Sequence, residues 1–290
     1  MKHIIYLFLS TILLSCGRFE NTNNKNNLQE RIVCISKQYS EIIFALKAQK
    51  NIVAVDLSST FPDSVKKLPT VGYHRALSAE TILAMNPTLI LHDNNIGPEH
   101  VVEQLNNLKI PMKTFGKYSS TIEGTDSLIR EIGSHFNKVK EADYLCEKLK
   151  IDMDKALNEA SKYSFKPRVL IIHFGRATNS YLVITKKSTA AKMLQWAGGE
   201  IAVDSDKGMK QISPEIVAAA KPDVILLTDF GYDKLNNGKE IEKLPGVSST
   251  KAFKNNAVYR IEEHDLVYLG PRTGENVLLI QKLIHKNETK

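Results

Sequence analysis

Residues 77–91 read LSAETILAMNPTLIL and residues 212–226 read ISPEIVAAAKPDVIL, and the two align without a gap. Glu80 and Glu215, Pro87 and Pro222, and Leu91 and Leu226 each stand 135 positions apart. Each copy has a Ser suited to a helix N-cap and a Glu in the first turn. Apolar residues then recur at helical spacing, and a proline ends the helix before a continuously apolar run. A helix leading into a fully apolar strand belongs to a parallel sheet covered on both faces. Two such units predict two similar lobes.

The flanking sequence extends the pattern. In the first half RIVCIS (31–36), NIVAVD (51–56) and PTLILHD (87–93) read as strands, with helices over YSEIIFALKA and LSAETILAM. In the second, RVLIIHF (168–174), EIAVD (200–204) and KPDVILLTD (221–229) read as strands, with helices over STAAKMLQWAG and ISPEIVAAA. Between the halves runs NKVKEADYLCEKLKIDMDKALNEASKY (137–163), free of Pro and Gly. Its apolar residues Ala142, Leu145, Cys146, Leu149, Met153, Ala156, Leu157 and Ala160 keep helical spacing. As one helix it would reach about 40 Å. The predicted fold is α/β, with two Rossmann-like lobes (31–136 and 164–290) joined by one long linking helix at 137–163. The ligand cleft is expected between the lobes, near the carboxyl ends of the strands.

Of the 290 residues 42% are hydrophobic, which excludes a disordered chain, and 15 Gly and 10 Pro without a repeat exclude a fibrous one. The 39 Lys and Arg exceed the 32 Asp and Glu, giving a net charge of +7. No basic block interleaved with aromatics occurs, so no nucleic acid partner is expected. No GxGxxG, P-loop, HExxH or GxSxG is present. His92-Asp93 and Glu262-Glu263-His264-Asp265 follow predicted strands and could serve a metal-dependent hydrolase. Neighbours on a strand point to opposite faces, so both clusters are expected to be solvated loop residues. Cys34 and Cys146 are expected as two buried thiols, with a disulfide the alternative.

Residues 1–16, MKHIIYLFLSTILLSC, combine a basic Lys2, an apolar stretch from Ile4 to Leu14 and Cys16. This is the form of a secretory signal peptide. Leu13-Leu14-Ser15-Cys16 resembles the bacterial lipobox, with Leu14 bulkier than usual there, and the resemblance implies lipidation of Cys16. Two acyl chains anchor stably where one is marginal. The polar, Asn-rich stretch 17–30 reads as a tether. The expected location is the periplasm or cell envelope, anchored to a membrane through Cys16.

The segment LPTVGYHRALSAE (68–80) precedes a predicted helix, so Tyr73, His74 and Arg75 should stand at the cleft edge. GY-x-RALSAE, STAAKMLQWAGG and LGPRTGE (269–275) together resemble the periplasmic haem-binding proteins of haem-uptake ABC transporters. These fall in the cluster that includes cobalamin- and siderophore-binding proteins, and the likeness covers about 31–285. It implies a monomer that captures haem as cargo, hands it to a transporter permease dimer and catalyses no reaction. A sibling binding a cobalamin or ferric siderophore is the alternative. It implies Tyr73 as axial ligand to ferric haem iron, since a phenolate oxygen suits that ion. Arg75 would steady the phenolate or meet a propionate. His173, Arg272 and His74 are further candidate haem contacts, Arg272 having a structural salt bridge as its alternative. Glu80 and Glu215, on matching positions of the repeat, would dock the permease. Both also suit the helix N-terminal dipole.

Overall fold

A computed structural model of the chain describes residues 30–286. The expected signal peptide, Cys16 and the expected tether as far as residue 29 lie outside the described residues. The first lobe runs β1 (Ile32–Ile35), α1 (Lys37–Ala45), β2 (Ile52–Val55), α2 (Ala79–Leu83), β3 (Leu89–His92), α3 (Glu99–Asn107), β4 (Met112–Lys113) and α4 (Ile122–His135). Its sheet is parallel throughout, in the order β2-β1-β3-β4. All four residues of β1 are buried, as a central strand covered on both faces requires.

Helix α5 (Val139–Ala160) joins the lobes. It is trimmed at both ends relative to 137–163, because Asn137 takes a left-handed turn (φ 55°) and the helix closes at Ser161. Its 22 residues span about 33 Å. Ala142, Leu145, Cys146, Leu149, Met153 and Ala156 form its buried stripe.

The second lobe runs β5 (Arg168–Gly175), β6 (Ser180–Ile184), α6 (Thr189–Trp196), β7 (Glu200–Ile201), β8 (Met209–Gln211), α7 (Pro214–Ala220), β9 (Val224–Thr228), α8 (Asp229–Lys234), α9 (Lys251–Lys254), β10 (Val258–Ile261), α10 (Glu263–Val267) and α11 (Thr273–Ile284). Helix α5 packs between α4 of the first lobe and α11 of the second. It is a strut clamped along its length.

The repeat is borne out in its strand pairing and in the turn before each proline. Strand β3 pairs with β1 as β9 pairs with β5, both in parallel. Asn86 and Lys221, at matching positions, both turn left-handed (φ 48° and 42°) just before the proline. Ser213 caps α7 by accepting from the Ile216 N–H, whereas Ser78 has cap geometry without that bond.

The second sheet departs from expectation in one respect. EIAVD supplies only the two-residue β7, because β6 takes the same edge of β5 from Ile172 onward, antiparallel. Strand β8 then adds antiparallel to β6. The sheet is therefore mixed, in the order β10-β9-β5-β6-β8. Cys34 and Cys146 are both buried free thiols, and burial pushes each up to about 12.

The lobes also meet through the face of α1. Lys37 Nζ lies 3.0 Å from Glu263 Oε1, and Gln38 Nε2 donates to the Leu269 carbonyl at 2.7 Å. Glu41 accepts from Arg272 Nε at 2.9 Å and pairs with His264, while Arg272 Nη2 reaches Asp265 at 2.7 Å. Burial opposes the Glu41 charge, but the His264 hydrogen bond and the nearby Arg272 outweigh it and hold the carboxyl below its ordinary range.

Candidate functional site

The loop from β2 to α2 carries Tyr73 and is fixed by its backbone. Gly72 takes a left-handed φ of 97°, a conformation that favours glycine, and its carbonyl accepts from the Leu57 N–H at 2.8 Å. The Ala76 N–H closes a turn onto the Tyr73 carbonyl at 2.8 Å, and the Gly97 N–H holds the His74 carbonyl at 2.8 Å. This loop leaves the carboxyl end of β2. His173 near the end of β5 and Glu263 just after β10 face it from the other lobe.

These residues line one cavity of about 320 Å³ between the lobes. Tyr73, His74, Arg75 and Asn95 form the first lobe's wall, and His173, Arg176, Glu263 and Tyr268 form the second's. Leu182, Ile184, Ala190, Met209 and Val267 supply apolar surface. A second cavity of about 240 Å³, with Lys117, Ser119 and Asn94, adjoins it at Thr189, Val267 and Tyr268.

Tyr73 is half-buried, and its hydroxyl has no hydrogen-bond partner among the described residues. Burial raises the phenol above its ordinary value, while the charges of Arg75 and Arg176 pull the other way. Arg75 is exposed and bonds through Nε and Nη2 to Asn95 Oδ1 at 3.0 and 2.7 Å. His74 turns its Nδ1 back to Asp56 Oδ2 (3.3 Å) and Ser58 Oγ (3.2 Å) and packs its ring 4.3 Å from that of Tyr73. Burial opposes the Asp56 charge, but hydrogen bonds from His74, Ser58 and Ser59 outweigh it and hold the carboxyl down.

His173 lies in the cleft wall with Nδ1 3.3 Å from Thr228 Oγ1, and burial lowers its pKa. Burial also opposes the charge of Glu263, yet Lys37, His173 and Arg176 hold it ionised.

Two sequence expectations need correction. Arg272 does not line this cavity: its guanidinium is bound to Glu41 and Asp265 and lies 3.4 Å over the Phe61 ring. Nor are the two carboxylate–histidine clusters solvated loops. His92, His264 and Asp265 are buried, Asp93 accepts from Ser36 at 2.9 Å, and Glu263 pairs with Lys37. Among the described residues no group of three or more His, Cys, Asp or Glu could hold a metal ion.

Sequence reasoning missed Arg176, Asp56, Glu263 as a cleft residue, and Tyr268. Arg176 stands three residues after His173 and Tyr268 two before Gly270, so both flanked motifs already marked. Glu80 and Glu215 are exposed, at the starts of α2 and α7.

A cleft at the carboxyl ends of two like sheets, spanned by one clamped helix, defines a two-lobed binding protein that holds its solute between the lobes. The chain belongs to the periplasmic binding protein family, which it matches over residues 32–264. It is 28% identical over 271 residues to the high-affinity heme uptake system protein IsdE of Staphylococcus aureus, covering 91% of this chain and 90% of that one. It is 27% identical over 264 residues to the uncharacterized ABC transporter substrate-binding lipoprotein YvrC of Bacillus subtilis, covering 90% of this chain and 82% of that one. Among solved structures, the periplasmic heme-binding protein RhuT from Roseiflexus sp. RS-1 in apo form superposes with a TM-score of 0.80 at 30% identity, over 89% of this chain and 98% of that one. The periplasmic heme-binding protein BhuT in complex with two hemes gives 0.78 at 26%, over the same shares.

Proposed function

We propose that the protein captures haem in the interlobe cleft and delivers it to an ABC transporter permease, without catalysing a reaction. The observation that carries this reading is the Tyr73 hydroxyl, which has no hydrogen-bond partner among the described residues and stands on the cleft wall, where burial raises its pKa and the charges of Arg75 and Arg176 oppose that rise. An unpartnered phenol beside two cations suits a ferric ion, whose charge displaces the phenol proton on binding. The apolar residues around it suit a flat porphyrin, and the two arginines suit its carboxylates. The relatives named for haem add independent support.

Within this reading Tyr73 is the axial ligand. His173 faces the iron region from the second lobe as a candidate contact. His74 acts as a buttress through Asp56 and is not a ligand. Glu80 and Glu215 dock the permease from the two lobes, and Cys16 carries the lipid that keeps the protein at the membrane of the periplasm or cell envelope. Titration of the purified protein with hemin tests the core of this. A shifted Soret band that saturates at a fixed stoichiometry is expected, and a spectrum equal to free hemin at every ratio would refute it.

A further inference from the structure

Tyr268 follows α10 and stands where the two cavities of the cleft meet, lining both. Its ring is held by both lobes. Lys37 Nζ of the first lobe sits 4.5 Å from the ring centre, and the His264 ring of the second stacks at 6.3 Å with an interplanar angle of 25°. The hydroxyl at the end of this fixed ring has no hydrogen-bond partner among the described residues. Three other tyrosines have hydroxyl partners. Tyr118 donates to Glu131 at 2.9 Å, Tyr181 to the Gly231 carbonyl at 2.9 Å, and the Tyr39 oxygen accepts from the Phe115 N–H at 3.3 Å.

Tyr268 is half-buried and its hydroxyl opens to the cleft, so a ligand that fills the cleft and displaces water must supply its acceptor. Burial raises the Tyr268 phenol above its ordinary value, so it remains an O–H and acts as a donor. The surrounding charges indicate which acceptor fits. Lys37 is neutralised by Glu263 at 3.0 Å. Arg75 meets only the neutral Asn95, and Arg176 Cζ sits 3.1 Å from the centre of the Phe230 ring. Neither arginine makes a direct ion pair among the described residues; Arg176 feels the charge of Glu263, which Lys37 already pairs, and Arg75 has no carboxylate partner, so the cavity wall carries positive charge in excess. The complement is an acceptor that carries negative charge, and hydrogen bonds to such acceptors are the stronger kind.

We propose that Tyr268 donates a hydrogen bond to a carboxylate of the bound porphyrin and so helps the cleft select a porphyrin with free acid groups. The assignment rests on the haem reading above and adds a residue and a chemical preference to it. It places a carboxylate of the ring at the junction of the two cavities.

The test is equilibrium titration of wild type and Tyr268→Phe with hemin and with hemin dimethyl ester, in one detergent buffer. Tyr268→Phe keeps the ring and its contacts with Lys37 and His264. Hemin binding should weaken about tenfold and ester binding less than about twofold, so the preference for hemin falls about tenfold. The wild type should itself prefer hemin to the ester by at least about tenfold, a result that needs no variant to fold. A wild type indifferent to esterification overturns the assignment, as does a variant that loses both ligands equally or neither. Failure of the wild type to bind either porphyrin overturns the haem reading, and the carboxylate contact falls with it.

Discussion

Tyr73 is followed at once by a histidine that would compete for iron if its ring were free. The ring is held instead by Asp56 and Ser58, and Asp56 is fully buried with Ser58 and Ser59 bonded to the same carboxylate. A side chain held by a buried charge is poorly placed to turn outward, so the neighbours have unequal roles. Arg75→Ala should weaken hemin binding about tenfold, by removing a cation next to the phenolate, and His74→Ala by less than about threefold. Paired hemin titrations give the order, and a larger loss for His74→Ala would contradict it. Asp229 offers a pH test at the same scale. Burial raises its carboxyl from 3.8 to about 6, with the charges of Glu262 and Glu263 adding to the effect. The fold thus favours protonated Asp229. Its contribution to stability is full below about pH 4 and is lost as the pH rises through about 6. Asp229→Asn keeps the oxygen that accepts from the Glu263 N–H at 2.9 Å. It should be more stable than wild type by about 1–2 kcal/mol at pH 7 and equal to it below pH 4, as read by urea melts.

At the scale of elements, legibility followed burial. Helix–proline–strand units were readable because central parallel strands are apolar throughout, as in VILLT of β9, whose five residues are all buried. The hairpin strands carry no such signal. Three of the five residues of β6 are only partly buried, and all three of β8 (MKQ) are exposed. Long helices announce themselves by period, which is why α5 was found to within two or three residues at each end. Contacts across the lobes were not legible, since Arg272 meets Glu41 at a sequence distance of 231. The cleft residues divide in the same way. Tyr73 and Arg75 lay in a recognisable motif and His173 at the end of a predicted strand, while Tyr268 and Asp56 became visible only once the chain was folded. The interlobe pairs make their own prediction. Arg272→Ala strands the buried Glu41 carboxylate and should cost about 2–4 kcal/mol in urea unfolding. The folded variant should keep its hemin spectrum. A variant of normal stability that no longer binds hemin would return Arg272 to the ligand.

The described residues form two like lobes on a clamped strut, with the ligand wall, the proposed docking glutamates and the proposed lipid anchor at Cys16 on separate parts of the chain. That separation predicts independent losses. Cys16→Ala should move the protein out of the detergent phase and leave hemin titration intact, and an unchanged partition would refute the anchor. Glu80→Ala combined with Glu215→Ala should abolish hemin-dependent permease ATP hydrolysis without altering hemin affinity, because both side chains are exposed at the starts of α2 and α7. Loss of hemin binding in that double variant would assign them to the fold or the pocket. The central claim, that a tyrosinate oxygen in the cleft holds ferric haem, is tested most directly by the absorption spectrum of hemin-loaded Tyr73→Phe beside wild type. The wild type should be ferric and high-spin with a phenolate-to-iron charge-transfer band. Tyr73→Phe should lose that band and bind about a hundredfold more weakly at nearly unchanged melting temperature, a loss scaled to a strong charged contact. An identical band and affinity in the variant would contradict the account.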